Sequence, residues 1–146
     1  MSGVDLVIPP RADFLALARR VVVEAARAAA IHSEERLEML RLAVSEACTN
    51  AIRAHHRLGT DETIRIRCQV NDGRFEVDVE DRGPGFEPAD IRPLPAPEDP
   101  ARLQFEGGLG LPLMQWCTDQ TLIRSGPDGT HVTLVLFTPS SETPAA

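Results

Sequence analysis

The alternation of apolar and polar positions divides this chain into strands, helices and hairpins before any chemistry is considered. Val4 to Ile8 is a short apolar run closed by Pro9 and Pro10, which predicts an edge strand, because proline cannot donate to a sheet ladder. Phe14, Leu17, Ala18, Val21, Ala25 and Ala28 recur at three- and four-residue steps and predict a helix with that face buried. Ser33 suits the N-cap of a second helix, with Glu34 and Glu35 placed favourably in its first turn. Along that helix Leu37, Leu40, Val44, Ala47, Cys48 and Ala51 share one side. At about 100° per residue, Glu46 and Asn50 fall roughly opposite this stripe and are neighbours one turn apart.

A hairpin follows. Ile64, Ile66, Cys68 and Val70 alternate with Arg65, Arg67 and Gln69; Phe75, Val77 and Val79 alternate with Arg74, Glu76, Asp78 and Glu80. Asp72-Gly73 between them is a type I′ turn signal. It pairs Val70 with Phe75, Cys68 with Val77 and Ile66 with Val79, and on the other face Arg67 with Asp78 and Arg65 with Glu80. A one-residue slip would set apolar against polar throughout, so the register is well determined. The cross-strand ion pairs are expected to contribute roughly 0.2–1 kcal/mol each. A last unit, Thr121 to Ser125, a four-residue turn Gly126-Pro127-Asp128-Gly129, and Thr130 to Phe137, reads as a second hairpin with Val132, Leu134 and Leu136 facing the core.

Asp81 breaks the routine. It continues the buried face of Phe75, Val77 and Val79, where a carboxylate must find a partner or lose its charge. The other reading ends the strand at Glu80 and turns Asp81 to solvent. Arg82-Gly83-Pro84-Gly85-Phe86 follows at once, a turn in which backbone can approach a ligand closely. Phe86 to Glu106 carries Pro88, Pro93, Pro95, Pro97 and Pro100, so it is neither one helix nor a central strand. It is a lid or binding loop, or a solvated insertion. Gly107-Gly108-Leu109-Gly110 then opens a helix from Leu111 to Cys117, with Pro112 in its first turn. A glycine-rich loop at a helix N-terminus offers free amides and the positive end of the dipole to an anion.

Composition narrows the chemistry. All 15 basic residues of this 146-residue chain are arginine. A Walker-A lysine, a kinase β3 lysine and a Schiff-base lysine are therefore all excluded. The excess of acidic residues, 22 against 15, argues against a direct nucleic-acid surface. Cys48, Cys68 and Cys117 lack CxxC spacing, which predicts reduced thiols and a cytoplasmic setting. No apolar run approaches the ~18 residues of a membrane span, and the first residues lack a signal-peptide pattern. The length suits one domain, 1–138, with the proline-rich segment 86–106 inside it and a frayed tail at 139–146.

In chain order stand Glu46-Ala47-Cys48-Thr49-Asn50-Ala51, Asp81-Arg82-Gly83-Pro84-Gly85-Phe86, Gly107-Gly108-Leu109-Gly110-Leu111 and Asp128-Gly129-Thr130. This series resembles the four nucleotide-binding boxes of the GHKL ATPase/kinase superfamily, from about Val4 to Phe137. Within it, Val44-Ser45-Glu46-Ala47 running into Thr49-Asn50-Ala51 is most similar to the anti-sigma factor serine kinases of bacterial partner switching.

The resemblance implies an α+β two-layer sandwich, the Bergerat fold, with a mostly antiparallel sheet and helices on one face. It implies that Asp81 accepts a hydrogen bond from the adenine amino group, supported by Thr130. Gly83 and Gly85 would let the backbone pass the base and ribose; Gly107, Gly108, Leu109 and Gly110 would wrap the phosphates, and the segment 86–106 would be the ATP lid. Asn50 would be the Mg²⁺ ligand, as suits a hard cation bound mostly through phosphates. Glu46 would be the general base in a transfer that is mainly positioning work. By the same resemblance the protein would be a cytoplasmic homodimer that binds a sigma factor and phosphorylates a STAS-type anti-anti-sigma protein with ATP. Arg19 and Arg20 are candidate sigma-factor contacts. The alternative is an ATP-binding switch or adaptor without phosphotransfer. A detached sensor-histidine-kinase catalytic domain fits less well, since none of His32, His55, His56 and His131 sits in a separate dimerisation helix pair. One departure stands out: many relatives carry histidine where this chain has Ala54, leaving Arg53 or His55 to replace its phosphate contact.

Overall fold

The computed structural model describes residues 3–83 and 110–139. Five strands, β1 (Gly3–Ile8), β2 (Ile64–Asn71), β3 (Arg74–Asp81), β4 (Gln120–Gly126) and β5 (Gly129–Phe137), form one antiparallel sheet in the order β1-β2-β3-β5-β4. Helices α1 (Leu15–Ala28), α2 (Glu34–Leu58) and α3 (Gly110–Cys117) complete the α+β architecture. β1 is an edge strand, as its two prolines predict.

The first hairpin has the predicted register throughout, and Asp72 and Gly73 both take positive φ (48° and 75°), as a type I′ turn requires. Its arginines behave differently from expectation. Arg65 and Arg67 both turn to Asp5 on β1, at 3.1 and 3.2 Å, rather than pairing with Glu80 and Asp78. Those acids find partners across β5 instead: Glu80 meets His131 at 2.6 Å and Asp78 accepts from the Thr133 hydroxyl. β2 is a central strand with a neighbour on each side, and the hairpin sequence alone names only one of them.

The second hairpin is tighter than the four-residue turn predicted. Gly126 pairs with Gly129, leaving a two-residue Pro127-Asp128 loop. Gly129 takes φ 137°, a conformation open to glycine, which lets the strand begin at once.

α2 keeps its predicted buried face: Leu37, Leu40, Val44, Ala47, Cys48 and Ala51 are all buried. The Ser33 hydroxyl accepts the Arg36 amide at 3.3 Å, and Gly59, at φ 72°, closes the far end. In α1 the predicted face is rotated. Ala18, Val22, Val23 and Ala26 are buried, whereas Leu17 is 44% exposed. This helix is apolar on more than one side, so packing against α2 and the sheet selects the face. α1 ends in a Schellman motif, with Ile31 N–H donating to the Ala26 carbonyl and Ala30 N–H to that of Arg27, each at 3.0 Å. Ala30 occupies its left-handed position at φ 68°.

Between the layers, Ile64, Ile66, Phe75, Val77, Val79, Val132, Leu134 and Leu136 of the sheet meet Val22, Leu37, Leu40, Val44 and Met114 of the helices in one core. The cysteines are buried and free, and burial pushes the Cys48 and Cys68 thiols up to about 12. Arg36, at the start of α2, donates to Asp119 at 2.7 Å and to the Phe137 carbonyl at 3.0 Å, and so ties α2 to the chain after α3. Among the described residues no helix is long and apolar enough to cross a membrane. The proline-rich stretch 86–106, Gly85, Gly107, Gly108, Leu109 and the tail from residue 140 lie outside the described residues.

Candidate active site

Glu46 and Asn50 lie one turn apart on α2, both half-buried. Helical spacing places them in a stripe with Met39 and Leu42, which are exposed. The C-terminal end of α3 lies close by: burial raises the Cys117 thiol, and the charge of Glu46 adds to that rise. On the opposite flank, Arg19 of α1 donates to the Ser45 hydroxyl at 3.2 Å, while Arg20 is exposed. Arg19 is thus already engaged within the helix layer.

Asp81 is the last residue of β3 and remains on the sheet's inner face, opposite Thr130. Its Oδ1 accepts two backbone N–H groups, from Gly83 at 2.9 Å and from Thr130 at 3.2 Å. Among the described residues Oδ2 accepts none, so one carboxylate oxygen is fixed and the other is left for a donor. Burial raises the Asp81 carboxyl above the usual aspartate range, against the pull of those two amides. The Thr130 side chain is buried, and its hydroxyl shares a hydrogen bond with Ser125 at 2.8 Å.

Two close approaches explain the small residues here. A Cβ on Gly83 would fall 2.4 Å from the Ala54 methyl, and one on Gly129 would fall 2.0 Å from the Asp81 carbonyl oxygen. Ala54 sits one turn beyond Asn50, so α2 and the Asp81 turn are in direct contact through Ala54 and Gly83.

His55 is not available to replace the missing phosphate contact. It is fully buried, with Nδ1 2.9 Å from the Glu62 carbonyl and Nε2 accepting the Arg82 backbone N–H at 2.8 Å. A carbonyl only accepts and an amide only donates, so the hydrogen is on Nδ1 and the ring is neutral. His56 bonds the Pro10 carbonyl at 2.9 Å, and Arg53 is exposed. The sequence gives no warning of the His55 contacts, because both partners are backbone atoms of loops whose path depends on the fold.

The structure therefore brings Asn50, Ala54, Gly83, Asp81 and Thr130 into a connected series, with Glu46 one turn before Asn50. Gly110 opens α3, while Gly85, Gly107, Gly108 and Leu109 fall outside the described residues. A cleft of about 380 Å³ is lined by Arg65, Glu80 and His131 and extends to Asp81, Arg82 and Gly129. It therefore reaches the Asp81 end of the series, while Glu46 and Asn50 do not line it.

The histidine kinase-like ATPase domain family matches residues 8–136. The chain belongs to this family. It is 31% identical over 140 residues to the serine-protein kinase RsbW of Bacillus pumilus, covering 92% of this chain and 85% of that one. Against the RsbW of Bacillus subtilis it is 29% identical over 126 residues, 84% and 78% of the two chains. Among solved structures, the RsbU and RsbW domains of a Mycobacterium tuberculosis protein share the fold at a TM-score of 0.66 and 18% identity. That match covers 94% of this chain and 33% of the solved one, so the chain spans a third of its length. As a kinase-like ATPase domain the chain is an ATP-binding protein of the serine-protein kinase lineage.

Proposed function

We propose that this protein is an ATP-dependent protein-serine kinase of a partner-switching system, which holds a sigma factor inactive and phosphorylates a STAS-type anti-anti-sigma protein. The carrying observation is the placement of Glu46 and Asn50 one turn apart on the partly exposed edge of α2, linked through Ala54 and Gly83 to Asp81. Relatives named as serine-protein kinases support it.

In this reading Asp81 Oδ2 accepts from the adenine amino group while Oδ1 stays on its two amides, and Thr130 holds the carboxylate in place. By the family resemblance, Gly107, Gly108, Leu109 and Gly110 would supply the phosphate contacts. Asn50 fits Mg²⁺ only together with phosphate oxygens: its amide oxygen is neutral, and no cluster of acidic, histidine or cysteine ligands exists among the described residues. Such an ion would offset charge on the phosphates. Glu46 orients the substrate serine and takes its proton as the serine oxygen bonds to the γ-phosphorus, the β–γ bridging bond breaks and ADP leaves. The homodimeric and cytoplasmic setting and the sigma-factor partner rest on the family resemblance.

The test is Glu46→Gln with MgATP and the cognate STAS protein. Phosphoserine formation should fall by roughly 10²–10⁴-fold, the usual worth of a general base, with ATP affinity kept within about threefold. An unchanged rate refutes the role of Glu46. Wild-type protein that binds ATP yet yields no phosphoserine favours a nucleotide-dependent switch instead.

A further inference from the structure

We infer that His55 is a positioning residue for nucleotide binding, a strut that sets the distance between the adenine carboxylate and the phosphate end of the site. The inference rests on the nucleotide reading of Asp81 and Asn50 given above.

The ring is fully buried at the C-terminal end of α2, five positions beyond Asn50. Nε2 accepts the amide of Arg82, the residue between Asp81 and Gly83, at 2.8 Å. Gly83 in turn donates to Asp81 at 2.9 Å. The peptides that follow Asp81 are thus fixed in sequence, one by the helix and one by the carboxylate itself. On the other side Nδ1 donates to the Glu62 carbonyl at 2.9 Å. The turn after α2 brings that carbonyl into reach, with Thr60 N–H on the His55 carbonyl at 3.1 Å and Gly59 left-handed.

His55 therefore joins three segments: the helix bearing Asn50, the loop before β2, and the turn bearing Asp81. Ala54 beside it cannot do this, since its methyl is already the surface on which Gly83 rests. Without an acceptor at Nε2 the Arg82 amide loses its partner, and the turn that aims Asp81 Oδ2 keeps only its Gly83–Ala54 packing against α2.

Two substitutions separate the two hydrogen bonds. His55→Asn can place its amide nitrogen where Nδ1 lies, keeping the Glu62 bond and losing the Arg82 acceptor. His55→Gln can reach the Nε2 position with its carbonyl oxygen and keep the Arg82 bond. Titration with MgATP on the full chain should show affinity about tenfold weaker for His55→Asn, equivalent to ~1.4 kcal/mol, and within about threefold of wild type for His55→Gln. In kinase assays the KM for ATP should rise in His55→Asn with kcat at saturation unchanged. The Arg82 amide should exchange its hydrogen faster in His55→Asn only.

A purely structural histidine would instead make affinity follow melting temperature in both variants. Wild-type affinity in a folded His55→Asn overturns the inference, as does an equal loss in His55→Gln. If His55→Asn does not fold, His55→Gln decides by keeping or losing affinity. Wild-type protein that fails to bind MgATP refutes the nucleotide reading itself, a result distinct from any of these.

Discussion

Replacing Asp81 by Asn should move stability and binding in opposite directions. In the folded protein Oδ1 accepts the Gly83 and Thr130 amides at 2.9 and 3.2 Å. Asparagine can keep both bonds with its own oxygen, which puts its NH₂ where Oδ2 was. An adenine amino group then meets a donor instead of a charged acceptor. A hydrogen bond to a charged group is worth about 1.5–3 kcal/mol, so ATP affinity should fall roughly 10- to 150-fold by calorimetric titration. Stability has the other sign. Burial raises the folded pKa of Asp81 above its unfolded value of about 3.9. A raised carboxyl contributes stability that is fully present below the unfolded pKa and is lost as pH rises through the folded pKa. At pH 7 the ionised group therefore costs stability, and Asp81→Asn removes that cost. The variant should melt at or above the wild-type temperature at pH 7, with the advantage vanishing below about pH 3.9. A variant that melts several degrees lower at pH 7 refutes the burial argument; one that binds ATP as tightly as wild type refutes the adenine role.

Two further substitutions test the packing. Gly83→Ala should destabilise by about 1–3 kcal/mol, because its Cβ would lie 2.4 Å from the Ala54 methyl. Placed in an Ala54→Gly background the same change should cost clearly less in denaturant unfolding, while strictly additive losses would refute the contact. Ala30→Gly should stabilise by about 0.5–1 kcal/mol, since Ala30 holds a left-handed conformation at φ 68° in the Schellman motif that ends α1. The midpoint should rise with the denaturant slope unchanged, and a falling midpoint would show that Ala30 is not strained.

What the sequence showed depended on how local the determining contacts are. The register of the first hairpin follows from alternation and an Asp-Gly turn, both within one stretch of chain, and it appears unaltered in the structure. The face of α2 was equally legible, because its apolar stripe is bordered by polar residues. α1 has alanine and valine on several sides, so its pattern fits more than one rotation and the core decides. Arg65 and Arg67 lie opposite acids on β3 yet choose Asp5, more than fifty residues away, since pairing along one hairpin says nothing of the strand on the other side. At the candidate site, Asp81 was marked by a carboxylate on an apolar face. His55 carried no such mark, because its partners are main-chain atoms of Glu62 and Arg82.

α2 is one unbroken helix from Glu34 to Leu58, and Glu46, Asn50, Ala54 and His55 all belong to it. At 1.5 Å per residue, Glu46 and His55 are separated by about 13–14 Å along its axis. On the proposed reading the helix works as a ruler, with Glu46, Asn50 and His55 engraved at fixed marks. Deleting a single residue between Asn50 and His55 would shift the later marks by about 1.5 Å and rotate them by about 100°. Such a change would turn His55 out of the interior and point a neighbour at Gly83. The chain can exchange side chains along this edge, but it cannot change the number of residues between them and still measure the same molecule.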